Sequence, residues 1–267
     1  QKDLGRETLV GGYMAGMETM QRKFGKLQWA DLFAPAIYYA ENGVTLSKNT
    51  AGFFAWRKSF LERTPEGKAF LAAGGTPEFR QGTKFVQPEA AKTLRAVAAQ
   101  GAQYMYTGAW ADEFVQIVGR EGGKVVKADL ADYRPVWGEP VSTSYAGTTV
   151  YAPGGDALAS ATFIPLLNLA EASGLNRKPS FWRDAKSFTE ISRITGTLEG
   201  APDLSKEVRA ALDAKGIDYS LQARSSKEFA KRVAPLLPTI GVMPQGDGKS
   251  RHSNSLVVVD KDGNIAA

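Results

Sequence analysis

Apolar residues recur at helical spacing in several stretches, and glycine or proline fences most of them. Met14, Met17, Met20 and Phe24 fall three or four places apart and stop at Gly25. That spacing predicts a helix over residues 13–24 whose methionines fill a core. Leu32, Phe33, Ala36, Ile37 and Ala40 share a face over residues 29–41, with Pro35 in the first turn and Gly43 past the end. Pro88 and Glu89 open a helix through Ala99, closed by Gly101. Proline has no N–H to leave unpaired there, and the carboxylate faces the positive end of the helix dipole. Another helix over residues 109–120 stops at Gly122-Gly123, and a longer apolar one over residues 158–172 stops at Gly174. Ser225-Ser226-Lys227-Glu228 has the form of a capping box ahead of Phe229, Val233 and Leu236.

Strand signals are fewer. Thr148-Thr149-Val150-Tyr151-Ala152 has strand composition and ends at Pro153-Gly154-Gly155. Leu256-Val257-Val258-Val259 suits a buried strand, and Lys261-Asp262-Gly263-Asn264 turns it towards a return strand from Ile265. Residues 44–87 show no single period and carry a turn signal at Gly74-Gly75-Thr76-Pro77, while Asp129 to Pro135 reads as a turn into an extended segment. Long helices with a few strands predict an α+β fold, helices packed on a sheet.

Composition narrows the chemistry. The net charge of +5 is spread along all 267 residues without a basic block among aromatics, which argues against a nucleic-acid partner. No apolar run approaches ~18 residues, so no membrane span is expected. Cysteine is absent and His252 is the one histidine, which excludes thiol catalysis, disulfides and Cys- or multi-His metal sites. No cofactor is expected. Gly246-Asp247-Gly248-Lys249-Ser250 imitates a phosphate-binding loop, but Met243 stands where its first glycine belongs and a strand follows instead of a helix. Gly154-Gly155 lacks the rest of a dinucleotide pattern, and Asp129, Asp132, Asp260 and Asp262 lie in turns where Asp bonds locally. The chain begins at Gln1 and stops inside the return strand, so a piece of a longer protein is expected.

Five segments in one order resemble the gamma-glutamyltranspeptidase family. They are Gly16-Met17 through Phe24-Gly25-Lys26-Leu27-Gln28-Trp29-Ala30-Asp31-Leu32-Phe33-Ala34-Pro35-Ala36-Ile37 to Glu41-Asn42-Gly43; Phe85-Val86-Gln87-Pro88-Glu89 with Thr93-Leu94 and Tyr106-Thr107-Gly108; Gly122-Gly123 with Asp129-Leu130-Ala131-Asp132-Tyr133; Glu139-Pro140-Val141 to Tyr145 with Gly147; and Pro153-Gly154-Gly155. The resemblance implies a four-layer αββα sandwich of the N-terminal-nucleophile hydrolases, here incomplete and with a large helical portion. It treats residues 1–267 as a single domain, 1–252 large-subunit-like and 253–267 the start of a small-subunit-like segment.

That family is made as one chain that cuts itself, and the new first residue, normally Thr, becomes the nucleophile seven places before an Asp. Counting back from Asp260 gives Ser253 as the catalytic residue and the His252–Ser253 bond as the cleavage site. A freed α-amine, with a pKa near ~8, can take the proton of its own hydroxyl, so no histidine dyad is needed. Ser253 and His252 are in any case adjacent, and neighbouring side chains on an extended chain point opposite ways.

Ser replaces the usual Thr, and Asn254-Ser255-Leu256-Val257 replaces the usual residues after it. The family's substrate arginine and oxyanion-hole glycines match no position here. The expected partners are the rest of the polypeptide, upstream segment and small subunit, and a small gamma-glutamyl or related amide substrate; a homo-oligomer stays open. A periplasmic or extracellular setting follows from the resemblance alone. The alternative is a catalytically inactive relative with a binding or scaffold role.

Overall fold

Glycine and proline bound most of the helices in the computed structural model, which describes residues 4–73, 79–154, 158–198, 204–240, 257–259, 261 and 265–266. The chain divides into two units, Gln1–Val136 and Trp137–Ala267.

In the first unit, α1 (Tyr13–Phe24) closes where the Gly25 N–H donates to the Gln21 carbonyl at 2.6 Å. Its predicted methionine stripe is only partly used. Met14 and Ala15 pack on Ala102, Tyr106, Ala111 and Leu130, whereas Phe24 is 64% exposed. The reason is local: the Tyr106 hydroxyl donates to the Gly11 carbonyl at 2.7 Å and accepts from the Ala15 N–H, pinning only the start of the helix. A 3-10 turn, Ala30–Phe33, leads into α2 (Ala34–Asn42). Phe33 and Ala40 are buried, but Leu32 and Ala36 are exposed, so the stripe is narrower than its spacing suggests. The Trp29 indole N–H donates to the Val97 carbonyl at 3.0 Å and ties this turn to α5 (Pro88–Gln100, ending at Gly101 with φ 79°).

Between β1 (Val44–Thr45) and β2 (Lys84–Phe85), which pair antiparallel, the chain makes an excursion containing α3 (Lys48–Leu61) and α4 (Pro65–Ala73). These two helices occupy the stretch without a single apolar period. The cause is that α3 is apolar on both sides: Ala51 and Phe54 face Leu46, Phe70, Phe79 and Phe85, while Phe53, Trp56 and Phe60 face outward. The turn expected at Gly74 to Pro77 lies outside the described residues. After α5 come α6 (Gln103–Thr107), α7 (Ala109–Arg120) and α8 (Lys127–Ala131). The last replaces part of the expected turn, because the Asp129 carboxylate accepts from the Val126 N–H at 2.9 Å and caps a single helical turn.

In the second unit, β3 (Val141–Tyr145) and β4 (Thr148–Ala152) form a hairpin with Val141 opposite Ala152. Its two turn residues, Ala146 (φ 49°) and Gly147 (φ 83°), are both left-handed, as a tight two-residue hairpin requires. Then follow α9 (Leu158–Ala172), α10 (Ala185–Leu198), α11 (Lys206–Asp213), α12 (Leu221–Arg224), α13 (Lys227–Val233) and α14 (Leu237–Ile240). Leu169, Ile194, Val208, Leu212 and Val233 form a fully buried core. The cap of α13 is Ser226, which accepts from the Phe229 N–H at 3.0 Å, one place later than the box predicted.

Strands β5 (Val258–Val259) and β6 (Ile265–Ala266) pair antiparallel with Val258 opposite Ala266 and Val259 opposite Ile265, so a return strand does start at Ile265; the Asp262-Gly263 turn lies outside the described residues. Yet Val257, Val258 and Val259 are each more than half exposed. Two strands alone leave both faces of a ladder open, so a buried strand here would need further layers. Among the described residues no helix is long and apolar enough to cross a membrane. The architecture is α+β, predominantly helical.

Candidate active site

The predicted nucleophile Ser253 and its neighbour His252 lie outside the described residues, as do Asp260 and the loop imitating a phosphate site. The described residue nearest in sequence is Val257, four places after Ser253, followed by β5. Antiparallel pairing with β6 sets the register of β5.

Elsewhere in the second unit, polar groups join the β3–β4 hairpin to two helices. The Thr143 hydroxyl donates to Asn168 Oδ1 at 2.6 Å, and Asn168 Nδ2 donates to the Ser225 carbonyl at 2.9 Å. Asn168 is fully buried in α9, and its contact with Thr143 is made away from water. One turn further on, Glu171 takes the Lys227 ammonium at 2.6 Å on one oxygen and the Ala146 N–H at 2.9 Å on the other. The Lys227 hydrogen bond, then the Ala146 N–H, hold the Glu171 carboxyl below its ordinary value. These groups satisfy one another and hold the left-handed turn on α9; they are braces, with no hydroxyl left for attack.

Other hydroxyls are similarly engaged or enclosed. Ser220 lines a cleft of about 540 Å³, but its Oγ accepts from the Ala223 N–H and bonds Asp218. Ser187 Oγ has no hydrogen-bond partner, yet it is completely buried within α10. The carboxylates beside them, Asp218 and Asp184, accept from the backbone N–H groups of Ser220 and Ser187. Among the described residues no group of three or more His, Asp or Glu side chains is placed to hold a metal ion.

Comparison with known proteins adds what these residues leave open. The family model described as gamma-glutamyltranspeptidase matches residues 4–267. A glutathione hydrolase proenzyme of Pseudomonas aeruginosa is 31% identical over 97% of this chain and 45% of its own length. An acylase ACY 1 proenzyme from a Pseudomonas species is 30% identical over 61% of this chain and 29% of its own. The chain therefore spans less than half the length of these curated relatives. Among solved structures, Helicobacter pylori gamma-glutamyltranspeptidase aligns with a TM-score of 0.73 at 23% identity, over 95% of this chain and 72% of that one. The fold is thus the α+β fold of the N-terminal-nucleophile hydrolases to which these structures belong, represented here chiefly by its helical portion.

Proposed function

Because the chain belongs to the gamma-glutamyltranspeptidase family, we propose that it is part of a gamma-glutamyl hydrolase/acyltransferase activated by cutting its own His252–Ser253 bond. The observation that carries this reading is the family match running through residue 267, with Ser253 seven places before Asp260 in the run Val258-Val259-Asp260-Lys261-Asp262-Gly263-Asn264. Residues 1–252 are then large-subunit-like and residues 253–267 begin the small-subunit-like segment. Both relatives named above are proenzymes, which supports an activating cut.

The chemistry follows from one residue carrying two functions. In the precursor, Ser253 Oγ adds to the His252 carbonyl carbon. The peptide C–N bond then breaks, the Ser253 nitrogen takes up a proton, and an ester joins His252 to Oγ. Water hydrolyses that ester, leaving a His252 carboxylate and a free Ser253 α-amine. With a pKa near ~8, the amine is partly unprotonated at neutral pH and can accept the Oγ proton as Oγ attacks an amide substrate. The leaving amine departs with a proton, and water or a second amine takes the acyl group from Oγ. The substrate class is gamma-glutamyl or a related amide, and the setting is periplasmic or extracellular. The upstream segment and the rest of the small subunit complete the site.

Ser253 lacks the methyl that restricts a threonine's rotamers. Ser253→Thr is therefore expected to keep self-cleavage. The decisive measurement is the intact mass of protein made from the full reading frame, beside Ser253→Ala. Cleavage between residues 252 and 253 in the wild type alone is expected; one uncut mass in both would refute the proposal.

A further inference from the structure

Asn42-Gly43 is the one Asn-Gly pair among the 267 residues, and it stands where α2 hands over to β1. The fold needs the glycine. Its φ of 78° is left-handed, and a Cβ there would lie 3.0 Å from both the Phe85 carbonyl oxygen and Val86 Cγ2. A side chain at this position would strain the backbone and press on β2. The asparagine is held too. Its Nδ2 donates to the Tyr38 carbonyl at 2.9 Å, and the Gly43 N–H donates to the Tyr39 carbonyl at 2.8 Å. The Gln87 N–H, at the start of α5, donates to the Ala40 carbonyl at 2.8 Å. From α5 itself, Arg95 Nε donates to Glu41 Oε1 at 2.8 Å. The last turn of α2 is therefore tied down residue by residue.

Asparagine is thermolabile, and a following glycine has no side chain to hinder the reaction. Once the Gly43 N–H has given its proton to a base, the nitrogen can add to Asn42 Cγ. The Cγ–Nδ2 bond breaks, ammonia leaves with a proton, and a succinimide ring remains. Water opens that ring at either carbonyl, giving aspartate or isoaspartate. In the folded chain both reacting groups are engaged with carbonyls one turn back, so the ring closes only after those bonds open.

We propose that Asn42 is a deamidation site which the C-terminal cap of α2 holds closed, and that its conversion weakens the first unit. Opening the last turn of α2 frees Asn42 Nδ2 and the Gly43 nitrogen together. The product carboxylate stands beside Glu41 at the negative end of the helix dipole and has no N–H to give the Tyr38 carbonyl. In the isoaspartate form the main chain gains a methylene just ahead of the pairing of Val44 with Phe85. The modification is spontaneous and independent of the reaction assigned to Ser253.

The test follows protein made from the full reading frame at mildly alkaline pH, folded and in urea, beside a synthetic peptide of residues 38–47. Peptide mass mapping reads the amide-to-acid change at residue 42, and labelling by isoaspartate methyltransferase reads the rerouted product. Conversion is expected to be about tenfold slower or more in the folded protein than in urea or in the peptide, since local opening limits it. Asn42→Gln should remove the labelling from this site. Asn42→Asp, which carries the product charge, should lower the melting temperature by about 1–3 °C. Equal rates in folded and unfolded protein would overturn the closed cap, and no conversion in urea and peptide would overturn the site. An Asn42→Asp protein that melts with the wild type would overturn the consequence drawn for the first unit.

Discussion

The two units solve the same burial problem with different materials. In the second, α9, α10, α11 and α13 enclose chiefly aliphatic side chains, and Thr143, Asn168 and the Ser225 carbonyl are paired beside them. In the first, burial is split between a small cluster around Tyr106 and a group of phenylalanines inside the α3–α4 excursion. Phe54 is 4.7 Å from Phe79 and 5.2 Å from Phe85, centroid to centroid. Large rings cover much area with few residues, but they leave α3 with rings on its outer side as well. The difference shows that a contiguous aliphatic core hides its polar connections, whereas a thin aromatic one leaves surface for other uses.

The sharpest way to break this contrast is a cavity in each unit. Leu169→Ala, at 0% exposure, is expected to cost about 3–5 kcal/mol in urea unfolding. Phe85→Ala, at 2% exposure, removes similar energy, about 3–5 kcal/mol, but from the excursion. Hydrogen exchange should then show α3 and α4 losing protection while α9 and α13 keep theirs. Uniform loss across both units would contradict the separation.

Smaller effects probe the charges. Glu171 is held below its ordinary pKa of 4.5 by Lys227 and then by the Ala146 N–H. A depressed carboxyl contributes fully above 4.5 and loses its contribution as pH falls through the folded value. Glu171→Gln should therefore lower the melting temperature at pH 7 and flatten its fall below pH 4.5, readable by calorimetry. The smallest change is expected at Glu66, whose carboxyl the Arg120 guanidinium pulls down to about 2. Both side chains are about two-fifths exposed, so water and salt screen the pair. Arg120→Ala should cost little at low salt and less at high salt. A large, salt-independent loss would show that this surface pair matters more than its exposure allows.

Much of the fold was legible because backbone chemistry marked its boundaries. Gly25, Gly101 and Gly174, with Pro88, bound the helices they were expected to bound. Misreadings occurred where packing outweighed pattern. The two-sided α3 hides its period, the capped single turn of α8 resembles a loop, and Phe24 follows a stripe that its neighbours do not bury. No element is predicted over residues 175–224, although α10 and α11 supply Ile194, Val208 and Leu212 to the core. The candidate site was legible differently. A serine before an apolar run is ordinary, and Ser253 stands out only through its spacing to Asp260 and the family resemblance. No side-chain cluster elsewhere in the described residues competes with it.

The α3–α4 excursion is closed at its base by backbone hydrogen bonds. The Leu46 N–H donates to the Thr83 carbonyl at 2.8 Å, and the Gly82 N–H donates to the Leu46 carbonyl at 2.9 Å. The chain thus departs and re-enters at one point, and the intervening residues carry their own aromatic packing. Lengthening a loop whose ends are already joined costs only about 0.6 kcal/mol per doubling. Such a segment can be lengthened while the ladder at its base stays as it is. Surface chemistry in the excursion can therefore change without altering the hydrogen bonds at Leu46, Gly82 and Thr83.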